Sequence, residues 1–256
     1  WLLALFPTAF AFSAVYTESL FLALSAGSLY AGRLGRWRTA GLVGLLAAAT
    51  RSTGMLLVLP LAILWWQGGR RRRDLGWIAA VGLGPAAYVG YLALATGDPW
   101  APLTVQEAWY REFAGPLGGA WDGAVAAWAG LRQLASGSRE TVYFTIAGGD
   151  PLVVAVHNVG NFAFLLFAVV ALAGAFRRLP AAYAVWALLA VVLPVSYPVG
   201  PEPLASLPRY LAVVFPLHMW LALWTRDRGL GEPAAAACAV ALAGLTVPFA
   251  AWEWVA

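Results

Sequence analysis

The sequence contains no lysine, a single cysteine and few charged residues of either sign. Its 256 residues include 12 acidic and 16 basic side chains, and every basic one is arginine. Charged residues make up 11% of the chain, against about a quarter in soluble domains, whereas 62% of the residues are hydrophobic. The lack of lysine excludes a lysine-dependent phosphate-binding loop, and the single Cys238 excludes an internal disulfide. This composition predicts an integral membrane protein.

The arginines form short clusters between apolar segments. This distribution is typical of topology signals in membrane loops and does not indicate nucleic acid binding. His157 and His218 stand apart from other metal-ligand side chains, so no metal site is predicted. Because the chain has no initiator methionine and opens with the apolar run WLLALF, we expect an N-terminal part to precede it.

Apolar segments define the predicted topology, because a membrane core of roughly 30 Å requires about 20 residues of helix. The candidate crossings are 9–31, 76–95, 157–176, 181–198, 210–225 and 233–254. Segment 39–66 is interrupted by TRSTG at 50–54, and we predict that it reverses there. With Arg51 left out, this hairpin puts eleven arginines on one side and four on the other, whereas a single crossing gives seven and eight. The positive-inside rule therefore favours an all-α polytopic bundle, with residues 1–256 forming one transmembrane domain.

Glu18 and Arg51 are ionisable residues inside apolar segments. Glu18 precedes Arg33 by 15 residues and Arg51 follows Arg38 by 13 residues. At 1.5 Å per residue, the two charges are predicted to lie roughly 22 Å and 20 Å from the same membrane face. One interpretation is a structural ion pair between helices. We prefer a polar cavity that opens outward, because intramembrane charges tend to mark functional sites.

Residues 97–156 are predicted to form a long external region with amphipathic helices lying in the membrane interface. A capping box formed by Thr104 and Glu107 predicts that a short helix begins at Thr104. Residues 121–134 can form a second helix. A lid that only packs over the spans is the alternative. Asp98 is either a site residue or simply part of the Gly-Asp-Pro turn.

Arg209 and Tyr210 precede the segment 210–225. At the outer membrane boundary, the planar donor fork of Arg209 would suit a phosphate group. The alternative is an arginine that only extends its charge to the interface, with Tyr210 as an interfacial residue.

Four stretches together resemble the PIG-V-like mannosyltransferases, the family of the second mannosyltransferase of glycosylphosphatidylinositol assembly and its bacterial relatives. They are PTAFAFSAVYTESLF, ATRSTG, GDPWAPLTVQEAWYR and LPRYLAVVFPLHMWLA. The resemblance implies a GT-C fold, a helical membrane bundle with its site on the external or lumenal face. It also implies transfer of mannose, with inversion, from a polyprenyl-phosphate mannose donor to a lipid-linked or glycan acceptor.

The resemblance also implies a catalytic aspartate in the first external loop, which we expect upstream of Trp1. The dipeptide Trp121-Asp122 lies in a later loop and does not carry that role. The residues expected to bind substrate are Glu18, Arg51, Asp98, Gln106, Trp109, Arg209 and Tyr210. No cofactor is implied beyond the donor, and the partners are membrane lipid, donor and acceptor.

Two other functions remain open from the sequence. One is a transporter or flippase for lipid-linked sugars that uses the Glu18 and Arg51 cavity, and the other is a non-catalytic membrane subunit. The broken segment 39–66 has no counterpart in a matching position, which favours the enzyme. The alanine-rich, arginine-only composition predicts a bacterial cell membrane, with the endoplasmic reticulum membrane as the eukaryotic equivalent.

Overall fold

The computed structural model describes residues 1–69, 71–108, 110–140, 150–200, 202–253 and 255. These residues are helical without any strand, which confirms the predicted all-α class. The helices are α1 (Glu18–Arg33), α2 (Trp37–Thr50), α3 (Val58–Gln67), α4 (Leu75–Ala79), α5 (Leu83–Ala95), α6 (Ala101–Ala108), α7 (Gly118–Ser136), α8 (Pro151–Arg178), α9 (Ala181–Val195), α10 (Leu207–Ala212), α11 (Phe215–Arg226) and α12 (Gly231–Ala250). Short 3-10 turns occupy Ala9–Phe12, Ser52–Leu57, Arg72–Asp74 and Ala80–Gly82.

Three helical segments of the described chain are long and apolar enough to cross a membrane, namely Arg72–Ala95, Pro151–Arg178 and Gly231–Ala250. They correspond to three of the predicted crossings. Ser52–Gln67 and Ala181–Val195 are shorter apolar helices. These segments support the predicted membrane protein. At 28 residues, α8 is the longest helix and extends over roughly 42 Å.

Two predicted crossings are shorter or more broken than expected. Helix α1 begins only at Glu18, so the predicted segment 9–31 is a 3-10 turn followed by a 16-residue helix. The segment 210–225 is divided between α10 and α11. Pro216 stands in the first turn of α11, where its missing N–H needs no intrahelical partner, so it favours a new helix start over continuation of α10.

The chain reverses at Arg51, as predicted for segment 39–66. Arg51 is extended, with φ −148° and ψ 140°, and the 3-10 turn that follows folds back on the end of α2. A Cβ at Gly54 would come within 2.5 Å of the Ala47 backbone, so this close contact requires glycine. Helix α3 then returns alongside α1. Gly32 of α1 lies so close to Leu61 of α3 that an added Cβ would contact the Leu61 side chain.

The reversal brings the basic loops to one end of the bundle, which we call the arginine end. A shared cavity is lined by Gly35, Trp37 and Arg38 from one loop region and by Gly69, Arg71, Arg73, Asp74 and Trp77 from the next. The Arg33 guanidinium lies 5.9 Å from the centroid of the Tyr183 ring at the start of α9. Arg178 forms a 2.6 Å salt bridge with Asp227, which follows α11. The predicted clustering of these loops is therefore present.

Helix α7 packs through small residues and leaves its large apolar residues outside. Gly119, Gly123 and Gly130 are closely apposed to Val195, Leu204 and Ala155, respectively. The large apolar residues of this helix form an exposed stripe, namely Trp121, Val125, Trp128, Leu131 and Leu134. Helix α7 therefore packs on the spans through its small residues, and its place in the membrane interface stays a prediction.

The predicted start of the helix at Thr104 is wrong. Helix α6 begins at Ala101, and the Thr104 hydroxyl donates a 3.1 Å hydrogen bond to the Ala101 carbonyl. Thr104 is thus inside the helix, where its hydroxyl bonds back to the preceding turn instead of capping the N-terminus.

Candidate functional site

An ion-pair cluster joins three parts of the chain at the end of the bundle opposite the arginine end. Arg51 Nη1 donates a 2.7 Å hydrogen bond to Glu18 Oε1. Arg209 Nε lies 3.2 Å from the same oxygen, but it makes no hydrogen bond there. We call Glu18, Arg51 and Arg209 the Glu18 cluster. The sequence predicted the meeting of Glu18 and Arg51, whereas the contact between Glu18 and Arg209 was not foreseen.

Local backbone structure explains how these side chains meet. Glu18 is the first residue of α1, where a carboxylate is stabilised by the helix dipole. Arg51 ends α2 in an extended conformation that frees its side chain to cross toward α1. Arg209 lies on α10. The Thr8 hydroxyl donates a 2.9 Å hydrogen bond to the Pro208 carbonyl, which attaches α10 to the N-terminal segment.

The Glu18 cluster is buried but not sealed. The Glu18 side chain is 2% exposed, whereas the Arg51 and Arg209 side chains are 19% and 13% exposed. Arg209 is therefore more enclosed than the predicted position at the lipid–water boundary. Ionised groups at such burial are stable only when they are paired. Here one carboxylate faces two guanidinium groups, so the cluster carries one excess positive charge.

Aromatic rings surround the two guanidinium groups. The Arg209 guanidinium lies 4.5 Å from the centroid of the Tyr16 ring and 5.5 Å from that of Tyr210. Arg51 lies 5.0 Å from the Tyr210 ring and 5.8 Å from the Phe21 ring. Cation–π contacts at these distances restrict the guanidinium planes without neutralising their charge.

Arg111 is a third guanidinium group near the cluster, and sequence reasoning did not assign it to the site. Its charge acts on the Tyr210 hydroxyl together with those of Arg51 and Arg209. Two loops pair to place it there. Ala114 N donates to the Ser196 carbonyl at 3.0 Å, and Arg111 forms an isolated antiparallel bridge with Val199. The site therefore has more positive charge than its sequence motifs indicated.

Two polar atoms of the cluster have no hydrogen-bond partner among the described residues. They are Glu18 Oε2 and Arg209 Nε, and both are buried. A buried polar atom without a partner typically costs about 1–3 kcal/mol, and native proteins contain few of them. In a site that is partly open, such atoms are candidates for contact with a polar ligand.

A second polar group lies on the first part of α8. His157 Nδ1 lies 3.4 Å from Glu202 Oε1, and both side chains are about one fifth exposed. Asn158 and Asn161 are buried, and the side-chain nitrogen Nδ2 of Asn158 has no hydrogen-bond partner among the described residues. Seventeen residues, or roughly 25 Å, separate Asn161 from the arginine-end terminus of α8, which places it near the level predicted for Glu18.

The remaining predicted site residues lie elsewhere or cannot be placed. Asp98 is exposed and makes its turn, since its Oδ1 accepts a 2.9 Å hydrogen bond from Trp100 N. Gln106 is exposed and donates a 3.2 Å hydrogen bond to the Pro102 carbonyl. Within the described chain, no hydrogen bond or ion pair connects either residue to the Glu18 cluster. Trp109 lies outside the described residues. A substrate role for these three residues stays a prediction.

The fold and the site together define an α-helical protein with membrane-length apolar helices and an arginine-rich polar site at one end. Across the described ranges, no group of three or more His, Cys, Asp or Glu side chains is arranged to hold a metal ion. No protein-family model, curated protein or solved structure matches the chain.

Proposed function

We propose that this protein is an integral-membrane glycosyltransferase that transfers mannose from a polyprenyl-phosphate mannose donor to a lipid-linked or glycan acceptor. The observation that carries the proposal is the Glu18 cluster, in which one buried carboxylate holds two partly accessible guanidinium groups. The resemblance to PIG-V-like mannosyltransferases supplies the sugar, the donor class and the GT-C architecture.

The charges near Tyr210 are suited to a lipid phosphate. Arg51 and Arg209 supply two positive charges against the single negative charge of Glu18, and the charge of Arg111 also reaches the Tyr210 hydroxyl. Guanidinium groups bind phosphate oxygens through paired N–H donors. The partial exposure of Arg51 and Arg209 leaves room for a ligand to contact their guanidinium groups.

The chemistry of glycosyl transfer requires such a group. The bond between the sugar C1 and the phosphate oxygen breaks as the acceptor oxygen attacks C1 from the opposite face and loses its proton. The electron pair of the broken bond passes to the departing phosphate, whose added negative charge the arginines stabilise. A base must take the acceptor proton, and we assign this role to no described residue.

The arginine distribution supports a site on the external face. The basic loops gather at the arginine end, which the positive-inside rule places in the cytoplasm. The Glu18 cluster lies at the other end of α1 and α2, so it is assigned to the external or lumenal half of the membrane. The site would then receive the donor from the outer leaflet.

Transport of a lipid-linked sugar is the second candidate function. A helix broken at a charged residue inside the membrane is a feature of transporter binding sites, and Arg51 occupies such a break. The two functions differ in whether the sugar leaves its lipid carrier.

The experiment uses the full-length protein in liposomes with radiolabelled polyprenyl-phosphate mannose and membrane lipid acceptors. We expect label to leave the donor and appear in a new glycolipid or glycan. Arg209→Ala should lower kcat/KM for the donor by about 100-fold or more, as expected for loss of a charged group at the departing phosphate. Arg132→Ala, on the exposed side of α7, is the matched control and should retain activity.

Movement of intact donor between leaflets without transfer of label would instead establish the transporter. Wild-type donor kinetics in a correctly folded Arg209→Ala variant would remove Arg209 from the site.

A further inference from the structure

A polar cavity of about 620 Å³ lies at the arginine end, at the opposite end of α1 and α2 from the Glu18 cluster. It is lined by Gly35, Trp37, Arg38, Gly69, Arg71, Arg73, Asp74 and Trp77. We call it the arginine-end cavity. Its walls come from the turn between α1 and α2 with the start of α2, from the turn after α3, and from the 3-10 turn Arg72–Asp74 with the following α4.

Close contacts hold these walls together. Gly41, one turn into α2, lies so close to the Trp77 backbone that no side chain would fit between them. Trp65 Nε1 at the end of α3 donates a 3.0 Å hydrogen bond to the Arg71 carbonyl. The concave shape therefore depends on tertiary contacts and is more than a run of arginines in an open loop.

The charges that line the cavity are not balanced. Arg38, Arg71 and Arg73 face a single carboxylate, that of Asp74, which leaves a net charge of +2. Among the described residues, none of these four side chains forms a salt bridge. Elsewhere at this end, Arg178 is paired with Asp227. The cavity thus concentrates guanidinium donors that have no carboxylate partner in the described chain.

The cavity lies at the ends of apolar helices. The segment Arg72–Ala95, which is long enough to cross a membrane, begins at its edge, and α1 and α3 end beside it. The Arg38 guanidinium lies 5.8 Å from the centroid of the Trp77 ring. Tryptophan and arginine side chains in this arrangement are typical of the headgroup region of a bilayer.

We propose that the arginine-end cavity binds the headgroup of an anionic phospholipid. The phosphate would accept hydrogen bonds from Arg38, Arg71 and Arg73, as basic pockets between membrane helices bind anionic headgroups. The acyl chains would lie against the adjoining helices, where Leu42 of α2 and Leu83 of α5 are exposed. This site is separate from the Glu18 cluster and does not depend on the proposed glycosyl transfer.

The test measures lipid binding by the detergent-purified protein with native mass spectrometry and thermal unfolding. Phosphatidylglycerol, phosphatidylcholine and inorganic phosphate are titrated separately. We expect phosphatidylglycerol to bind more tightly than phosphatidylcholine and to raise the Tm. The double variant with Arg38→Gln and Arg73→Gln should bind phosphatidylglycerol at least tenfold more weakly, because each substitution removes a charge-assisted hydrogen-bond donor.

The matched control is Arg228→Gln. Arg228 lies at the same end and also contacts a tryptophan, with its guanidinium 4.4 Å from the centroid of the Trp224 ring, but it does not line the cavity. This variant should bind phosphatidylglycerol like the wild type. Equal weakening in the control and the double variant would overturn the proposal, as would unchanged binding in a folded double variant. Inorganic phosphate binding as tightly as the lipid would show a free-anion site and overturn the assignment to lipid.

Discussion

Glu18 and Arg51 are 33 residues apart in the chain, and their side chains meet at 2.7 Å with the carboxylate almost fully buried. The contact crosses from the beginning of α1 to the end of α2, so it joins the two helices at the end where the chain reverses. Arg209 approaches the same carboxylate oxygen from α10. One acidic side chain therefore organises two arginines from distant parts of the sequence.

The energetic coupling between Glu18 and Arg51 is measurable by a double-mutant cycle. We expect Glu18→Gln and Arg51→Gln to show a coupling free energy of unfolding of about 1–3 kcal/mol, as for contacting residues in a shared network. The more accessible pair Arg139 and Asp150, at 2.9 Å with side chains 71% and 34% exposed, is the control and should give less than about 1 kcal/mol. Absence of coupling between Glu18 and Arg51 would contradict the pair.

Arg111 is predicted to contribute to donor binding although it touches neither Glu18 nor Arg51 in the described contacts. Arg111→Gln removes one of three positive charges near Tyr210, and we expect a roughly tenfold lower kcat/KM for the donor, since a charge-assisted contact is worth about 1.5–3 kcal/mol. Steady-state kinetics with varied donor measure this effect. The control Arg132→Gln should behave as wild type, and equal activity of both variants would exclude Arg111 from the site.

Gly54 is predicted to be intolerant of even one added methyl group. In Gly54→Ala the new Cβ would lie 2.5 Å from backbone atoms of Ala47, and backbone there cannot move without separating the 3-10 turn from α2. We expect a loss of about 1–3 kcal/mol in the free energy of unfolding, the usual range for overpacking. Thermal unfolding in detergent provides the measurement. Gly90→Ala, where nothing lies within 4 Å of the added Cβ, should leave the Tm unchanged or slightly higher.

Asp227 is predicted to make stability depend on pH at the arginine end. The hydrogen bond from Arg178, aided by its charge, holds the pKa of the Asp227 carboxyl below its usual range. Its contribution to stability is therefore present above the unfolded pKa of about 3.9 and is lost as the pH falls through the lower folded value. The Tm of the wild type should exceed that of Asp227→Asn at neutral pH, and the difference should disappear in strong acid.

The matched substitution Asp122→Asn removes an exposed carboxylate that has no ion-pair partner in the described chain. It should give no comparable difference at neutral pH. A difference between wild type and Asp227→Asn that persists unchanged in strong acid would contradict the role of the carboxylate charge.

The reversal at Arg51 and its pairing with Glu18 were predictable because both follow from local sequence. The interruption TRSTG breaks an apolar segment, and helical rise fixes the depth of each charge relative to the nearest arginine loop. The arginine distribution then selects the hairpin over a single crossing. The chain break, the helical rise and the arginine distribution can each be read from the sequence without knowing which distant segments are in contact.

The positions of Arg209 and Arg111 were not predictable in the same way. They depend on how α10 docks and on the pairing of residues 110–114 with 196–200, which are contacts between distant segments. Ser206, with φ 66°, turns the chain immediately before α10. No sequence pattern there predicts a residue in the left-handed backbone conformation. The start of α6 was misplaced because Thr104 and Glu107 satisfy the capping-box spacing from inside a helix.

Helix α7 gives a further lesson about membrane proteins. In water, a stripe such as Trp121, Val125 and Trp128 would predict the packed face. Here the glycines pack and the stripe is exposed, because close helix approach favours small residues when lipid can cover the large ones. A periodic pattern of apolar residues therefore predicts the helix, but it does not predict which face of the helix packs against the rest of the protein.

For the proposed glycosyl transfer, the length of α8 sets the level at which an acceptor could meet the protein. At roughly 42 Å it exceeds a hydrocarbon core of roughly 30 Å, so an upright α8 would extend about 12 Å beyond the lipid tails. If the arginine end is at the cytoplasmic surface, the overhang holds the first eight residues, including His157 and Asn158. In the proposed glycosyl transfer, an acceptor sugar approaching this end would stay hydrated among the headgroups, and only the hydrocarbon chain of the donor would need to remain in the membrane core.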